Sequence, residues 1–187
     1  MQIHAHIVWI TFSIIGLVMT FVIIRSLKYH YSITGKPSIQ PLFFYMAKLF
    51  FFLNWMLFLA KAIFPKIGSV AVPTYLSWIA VILLMSGSLL FIPAVLQLGS
   101  SLRYGIPEEE TKLRTNGIFR ISRNPLYLGL FIICTGSCLY YPNLLNIAFF
   151  IYTLVFHLKI IRKEEEFLAA RFGEEWKNYT LKVRRLI

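Results

Sequence analysis

The sequence predicts an all-α fold: an integral membrane bundle of about five transmembrane helices with a polar cap on one side. Three observations predict it. Of 187 residues, 58% are hydrophobic, 17% aromatic and only 14% charged, with a mean hydropathy of +0.68. A water-soluble domain of this length has about a quarter of its residues charged and could not hide so much apolar surface in one core. The apolar residues also fall in runs of membrane length, and the charges collect almost entirely at alternate ends of those runs.

A span needs about 20 mainly apolar residues. Five segments qualify, two of them short: 7–27, 41–64, 75–98, 125–141 and 144–161. The first has no basic stretch before it and no small-residue cleavage site after it, so it reads as a span rather than a leader. Pro and Gly mark the breaks at Gly35-Lys36-Pro37, at Pro65 and Gly68, from Gly99 through Pro107, and at Pro142-Asn143. The last break is so short that spans four and five must form an antiparallel hairpin. The length suits one membrane domain over 1–187, with three N-terminal spans in 1–98 and the cap-bearing part in 99–187.

The basic residues orient the bundle. Arg25, Lys28 and Lys36 follow span one; Arg103, Lys112, Arg114, Arg120 and Arg123 lie between spans three and four; eight more lie from Lys159 to Arg185. Lys66 alone falls on the other side. The expected arrangement puts the N-terminus outside and the C-terminus in the cytoplasm, and the compact length suits a bacterial inner membrane. Lys48 and Lys61 sit near span ends and read as snorkelling side chains. Asn54 and His157 read as polar groups hydrogen-bonded inside the bundle. Cys134 and Cys138, one turn apart in a span, read as packing residues, and no metal-binding cluster is expected.

All eight acids are glutamates, in Glu108-Glu109-Glu110, Glu164-Glu165-Glu166 and Glu174-Glu175, on the same side as the bases. A surface that only binds anionic lipid has little use for them. They suggest a folded cap made from the loop after span three and a C-terminal amphipathic helix, beside the plainer reading of a solvated face. Leu168, Phe172, Trp176 and Tyr179 recur at helical spacing, and Glu165 falls within their stripe. At the start of span four, Pro125 suits the first helical position and Asn124 the N-cap. A helix N-terminus beside Arg123 suits an anion, and a simple capped start accounts for it equally well. Gly129 leaves room for a ligand or a neighbouring helix.

These segments resemble a known family. Leu113-Arg-Thr-Asn-Gly117, Arg123-Asn-Pro-Leu-Tyr127-Leu-Gly129, and Glu164-Glu165 followed by Leu168, Phe172-Gly173, Trp176, Tyr179 and Val183 look like the signature of the isoprenylcysteine carboxyl methyltransferase and phospholipid methyltransferase superfamily. The resemblance covers roughly 99–185. Many members have His where this chain has Asn124, and eukaryotic carboxyl methyltransferases have His at the position of Thr111; Tyr is frequent at the positions of Phe119 and Trp176.

The resemblance implies a membrane-embedded methyltransferase using S-adenosyl-L-methionine, without a dinucleotide-binding domain. It implies that Leu113, Gly117, Arg123, Asn124, Pro125, Tyr127, Glu164 and Glu165 line the cofactor pocket, with Glu164 and Arg123 as the catalytic candidates. The expected partners are a lipophilic small-molecule or lipid acceptor and membrane lipids, not nucleic acid. A carboxylate acceptor comes first. Phospholipid N-methylation, thiol S-methylation, a reductase of the same superfamily, and a small transporter or lipid-binding scaffold stand as alternatives.

Overall fold

The structure is a computed structural model that describes residues 2–30, 32–68, 71–107 and 112–187. The Glu108-Glu109-Glu110 cluster and Thr111 lie outside the described residues. Five helices carry the fold: α1 (Ile3–Lys28), α2 (Pro41–Ile63), α3 (Thr74–Leu98), α4 (Pro125–Tyr140) and α5 (Leu144–Lys182). Among the described residues there are no strands, only two isolated bridges.

α1, α2, α3 and α5 are long and apolar enough to cross a membrane. At 16 residues, α4 spans about 24 Å against a hydrocarbon core of about 30 Å. Their outer faces are apolar and uncovered: Leu17 on α1 is 70% exposed and Leu89 on α3 is 72% exposed. Side chains like these, running the length of a bundle, need lipid as their solvent.

Contacts fix which helix ends lie together. His4 at the start of α1 meets Tyr140 at the end of α4, Nδ1 to hydroxyl at 2.8 Å, and packs edge-on against Trp78 early in α3. Lys61, at the end of α2, lies over the Tyr141 ring and donates to the Pro65 and Ile67 carbonyls. At the opposite end gather the end of α3, the start of α4 and the middle of α5. The α1–α2 connection joins them through Tyr104 N–H to Ile33 O and Lys36 N–H to Ile106 O, at 2.7 and 2.9 Å.

Small residues set the tightest packing. A Cβ on Gly129 of α4 would come within 2.6 Å of Gly87 O and 2.8 Å of Phe91 N on α3. Close backbone approach of this kind drives helix association where lipid is as apolar as the helices. The space at Gly129 is therefore filled by a neighbouring helix. A buried polar node ties α2, α4 and α5: Asn54 Nδ2 donates to Asn146 Oδ1 at 2.7 Å, and Ser137 Oγ donates to Asn54 O at 2.9 Å.

Two sequence expectations change. The tail is not one straight helix: α5 breaks at Gly173, whose φ of 48° and ψ of −119° are non-helical. The break folds the last turns back, so Leu168 and Phe172 before it and Trp176, Tyr179 and Val183 after it close around Leu113. Asn124 does stand at the N-cap position of α4, but its side chain makes no capping bond. It turns to the tail instead, donating to Glu165 Oε1 at 3.0 Å and Arg185 O at 3.1 Å.

Candidate active site

A cavity of about 650 Å³ opens at the polar end of the bundle and continues between the helices. Its polar part is lined by Arg103, Lys112, Leu113, Arg114, Asn124 and Glu164, with Trp176 and Tyr179 of the folded-back tail. Its apolar part lies between α1 and α2. Trp9, Phe12, Gly16 and Met19 line one wall; Phe52, Trp55, Met56 and Leu59 line the other. Both sets recur at three- and four-residue spacing, one face of each helix.

Local chemistry explains how the polar part is held. The N–H that Pro125 lacks would be unsatisfied at this first helical position anyway, and the ring pre-sets the backbone for the first turn of α4. That turn directs Tyr127 toward α5, where its hydroxyl lies 3.0 Å from each Glu164 carboxylate oxygen. Tyr127 is 8% exposed, and its ring lies 5.6 Å from that of His157. Glu164 thus presents a carboxylate to the cavity, steadied from behind by one phenol.

Glu165, one residue on, points elsewhere and does a different job. It accepts from Arg123 Nε at 3.1 Å and Nη2 at 3.4 Å, from Arg185 Nε at 2.7 Å, and from Asn124 Nδ2. The Arg123 guanidinium also faces the Trp176 ring, 5.6 Å from its centroid. Bonds to tail carbonyls complete the knot: Arg123 N–H to Arg184 O at 3.0 Å and the Ser122 hydroxyl to Arg185 O at 3.2 Å. Tyr179 adds a 2.6 Å bond from its hydroxyl to Phe119 O. The tail is latched to the start of α4.

Of the eight residues singled out by sequence, Leu113, Arg123, Asn124, Pro125, Tyr127 and Glu164 line the cavity. Gly117 and Glu165 do not. Gly117 sits behind the wall with φ 61°, backed by the Gln97 side chain, which accepts from Ile118 N–H at 3.1 Å. Glu165 holds Arg123 and Arg185.

Two residues reach the cavity that sequence reasoning assigned elsewhere. His157 lines it while its Nδ1 bonds Thr153 O at 2.8 Å. Lys48, read as a snorkelling side chain, turns inward. Its Nζ lies 5.2 Å from the Phe44 ring centroid, 5.4 Å from Tyr127 and 5.8 Å from Tyr104. The signal available was its register: Lys48 shares the α2 face of Phe52, Trp55 and Leu59. Tyr104 is 39% exposed overall, yet burial raises its phenol above the ordinary tyrosine value. It remains a neutral hydrogen-bonding group.

Comparison with known proteins identifies a family and relatives. A family model described as phospholipid methyltransferase matches residues 75–175. The match takes in α3, which the motifs leave aside, and excludes α1, α2 and the last turns of the tail. A probable protein-S-isoprenylcysteine O-methyltransferase of Oryza sativa subsp. indica is 32% identical over 113 residues, 58% of this chain and 59% of that protein. The protein-S-isoprenylcysteine O-methyltransferase of Schizosaccharomyces pombe is 31% identical over 94 residues, 48% of this chain and 40% of that protein. The matched region spans about half the length of these relatives.

Proposed function

The chain belongs to the phospholipid methyltransferase family, and from that premise we propose that it transfers a methyl group from S-adenosyl-L-methionine to a lipophilic carboxylate at the cytoplasmic face of a membrane. The observation that carries this reading is the continuity of one cavity from a polar part to an apolar slot between two membrane helices. A charged, water-soluble donor and a membrane-borne acceptor need such a shared space with two differently lined ends.

The polar part fits the donor by the chemistry of its lining. Lys112 and Arg114 suit the cofactor's carboxylate, the Glu164 carboxylate suits its ammonium or sulfonium, and Trp176 and Tyr179 suit a flat base. Leu113, Asn124, Pro125 and Tyr127 complete the wall. Arg123 is engaged by Glu165, so in this reading the pair shapes the pocket and Arg123 does not hold the cofactor's carboxylate alone. When bound, S-adenosyl-L-methionine supplies an electrophilic methyl carbon to which the acceptor's lone pair bonds as the carbon–sulfur bond breaks onto sulfur.

The protein's share is binding, alignment and exclusion of water. Tyr127 fixes the Glu164 carboxylate. The tail latch closes the cap over the polar part, and the walls of α1 and α2 keep the acceptor's chain out of water. A carboxylate acceptor arrives already deprotonated, so no general base is required of the site. The protein-S-isoprenylcysteine O-methyltransferases among the relatives support an acid acceptor. The polar end, with its basic residues, faces the cytoplasm in this reading. α4 completes a five-crossing path in which the α4–α5 turn lies near the opposite surface.

Calorimetric titration of purified protein in nanodiscs with S-adenosyl-L-methionine tests the proposal, with Glu164→Ala as the comparison. Saturable binding that the variant loses is expected. A tritiated-methyl assay over matched carboxylate, amine and thiol amphiphiles then identifies the nucleophile. Absence of binding by folded wild-type protein overturns the methyl-transfer reading; methylation of the amine or thiol alone overturns the carboxylate.

A further inference from the structure

Lys48 is a cation placed where the polar and apolar parts of the cavity meet. It comes from α2, outside residues 75–175 that match the family. Along the same α2 face, Phe52, Trp55, Met56 and Leu59 run into the apolar slot. From Lys48 to Leu59 the helix rises about 16 Å, the scale of a lipid chain. Phe44, Tyr104 and Tyr127 surround the ammonium with ring faces.

Rings attract a cation but accept none of its three N–H bonds as an oxygen would. Among the described residues Lys48 makes no ion pair and no hydrogen bond. Glu164 is near enough to act on it electrostatically but is bonded to Tyr127 instead. A partly buried ammonium with unused donors favours whatever anion can reach it.

We propose that Lys48 is the specificity residue for the acceptor: it anchors an anionic head group whose apolar chain lies in the slot between α1 and α2. This deepens the carboxylate reading above and rests on it. The chain's length of contact comes from the helix faces, whereas the choice of head group comes from one charge. A carboxylate gains an ion pair, a neutral amide loses it, and a protonated amine meets repulsion. The cation stabilises the acceptor while its charge is whole and less so as that charge is consumed. Lys48 therefore acts on acceptor affinity and KM more than on kcat.

The test uses full-length protein in nanodiscs, without methyl donor, and three probes sharing one farnesyl thioether chain: a carboxylate (N-acetyl-S-farnesylcysteine), its carboxamide and the S-farnesyl cysteamine. Wild type should bind the carboxylate at least about tenfold more tightly than the amide. Lys48→Met and Lys48→Gln should level the two affinities, and Lys48→Arg should keep the preference. The Kd for S-adenosyl-L-methionine should change less than about twofold in all three variants. Wild type without carboxylate preference, or Lys48→Met and Lys48→Gln variants that retain it, overturns the proposal. So does loss of cofactor binding in Lys48→Met with acceptor preference intact, which would assign Lys48 to the cofactor. Because acceptor binding is read without donor, a failure of the methyl-transfer reading shows separately, as absent cofactor binding by wild type.

Discussion

Arg123 and Glu165 meet across the α4–α5 junction as a two-point pair, Nε to Oε1 at 3.1 Å and Nη2 to Oε2 at 3.4 Å. Their side chains are 11% and 8% exposed. Glu165 also holds Arg185, whose side chain is 45% exposed. One carboxylate therefore secures the start of α4 and the end of the tail, while its neighbour Glu164 faces the cavity.

Adjacent glutamates with separate jobs should separate by experiment. Glu165→Ala strands the Arg123 guanidinium in a dry setting, a loss of about 3–5 kcal/mol when a buried pair is broken on one side. The unfolding midpoint in detergent should fall by several degrees. Glu164→Gln should leave that midpoint within about 1 °C, because Tyr127 can still bond the amide, yet remove cofactor binding or turnover. Equal thermal losses from both variants would refute the division.

Tyr127→Phe tests the phenol that steadies Glu164. A hydrogen bond to a charged group contributes about 1.5–3 kcal/mol, which corresponds to about a 10- to 160-fold loss in kcat/KM. The ring remains to pack against His157 and Lys48, so the thermal midpoint should hold. Undiminished kcat/KM would show that Glu164 needs no help from Tyr127.

Much of this site was legible in the residues because its parts are local. Pro125 announces a helix start, and the Arg-Asn-Pro and Glu-Glu runs mark the two strips that meet. What pairs with what was less legible. Glu164 and Glu165 differ by about 100° around α5, and helical spacing puts Glu165 within the apolar stripe without revealing that Arg185 comes back to it. That return depends on Gly173, which gives no periodic signal. Lys48 was misread because a lysine near a span end has a common, bland explanation. Only the packing of α2 against α4 and α5 brings its ammonium over Tyr127.

Gly129 offers a prediction about the bundle rather than the chemistry. Its hydrogen faces Gly87 O and the Phe91 backbone on α3, so a larger side chain must push the helices apart. Gly129→Leu should cost about 1–3 kcal/mol or more through overpacking, seen as lowered yield of folded protein and a lower unfolding midpoint. Tyr127 lies two residues away on α4 and meets Glu164 of α5, so a displaced α4 carries it along and cofactor affinity should fall with it. A stable, fully binding Gly129→Leu protein would contradict the close α3–α4 approach.

Gly173 carries the bend that turns a straight tail into a latch. Its φ of 48° and ψ of −119° lie where a side chain on an L-residue strains the backbone by about 1–3 kcal/mol. No neighbour lies within 4 Å of a Cβ built there, so the cost of Gly173→Ala is backbone strain and not a clash. Alanine also favours continuing the helix, which would carry Trp176, Tyr179 and Val183 away from Leu113 and draw Arg185 off Glu165. Faster proteolysis of the last 14 residues, altered Trp176 emission and weaker cofactor binding are expected together. Semisynthesis supplies the control: D-alanine is at ease at positive φ and should restore the latch. If L-alanine leaves protease resistance unchanged, the fold-back does not depend on this glycine, and the closure of the cap must come from the Glu165 pairings alone.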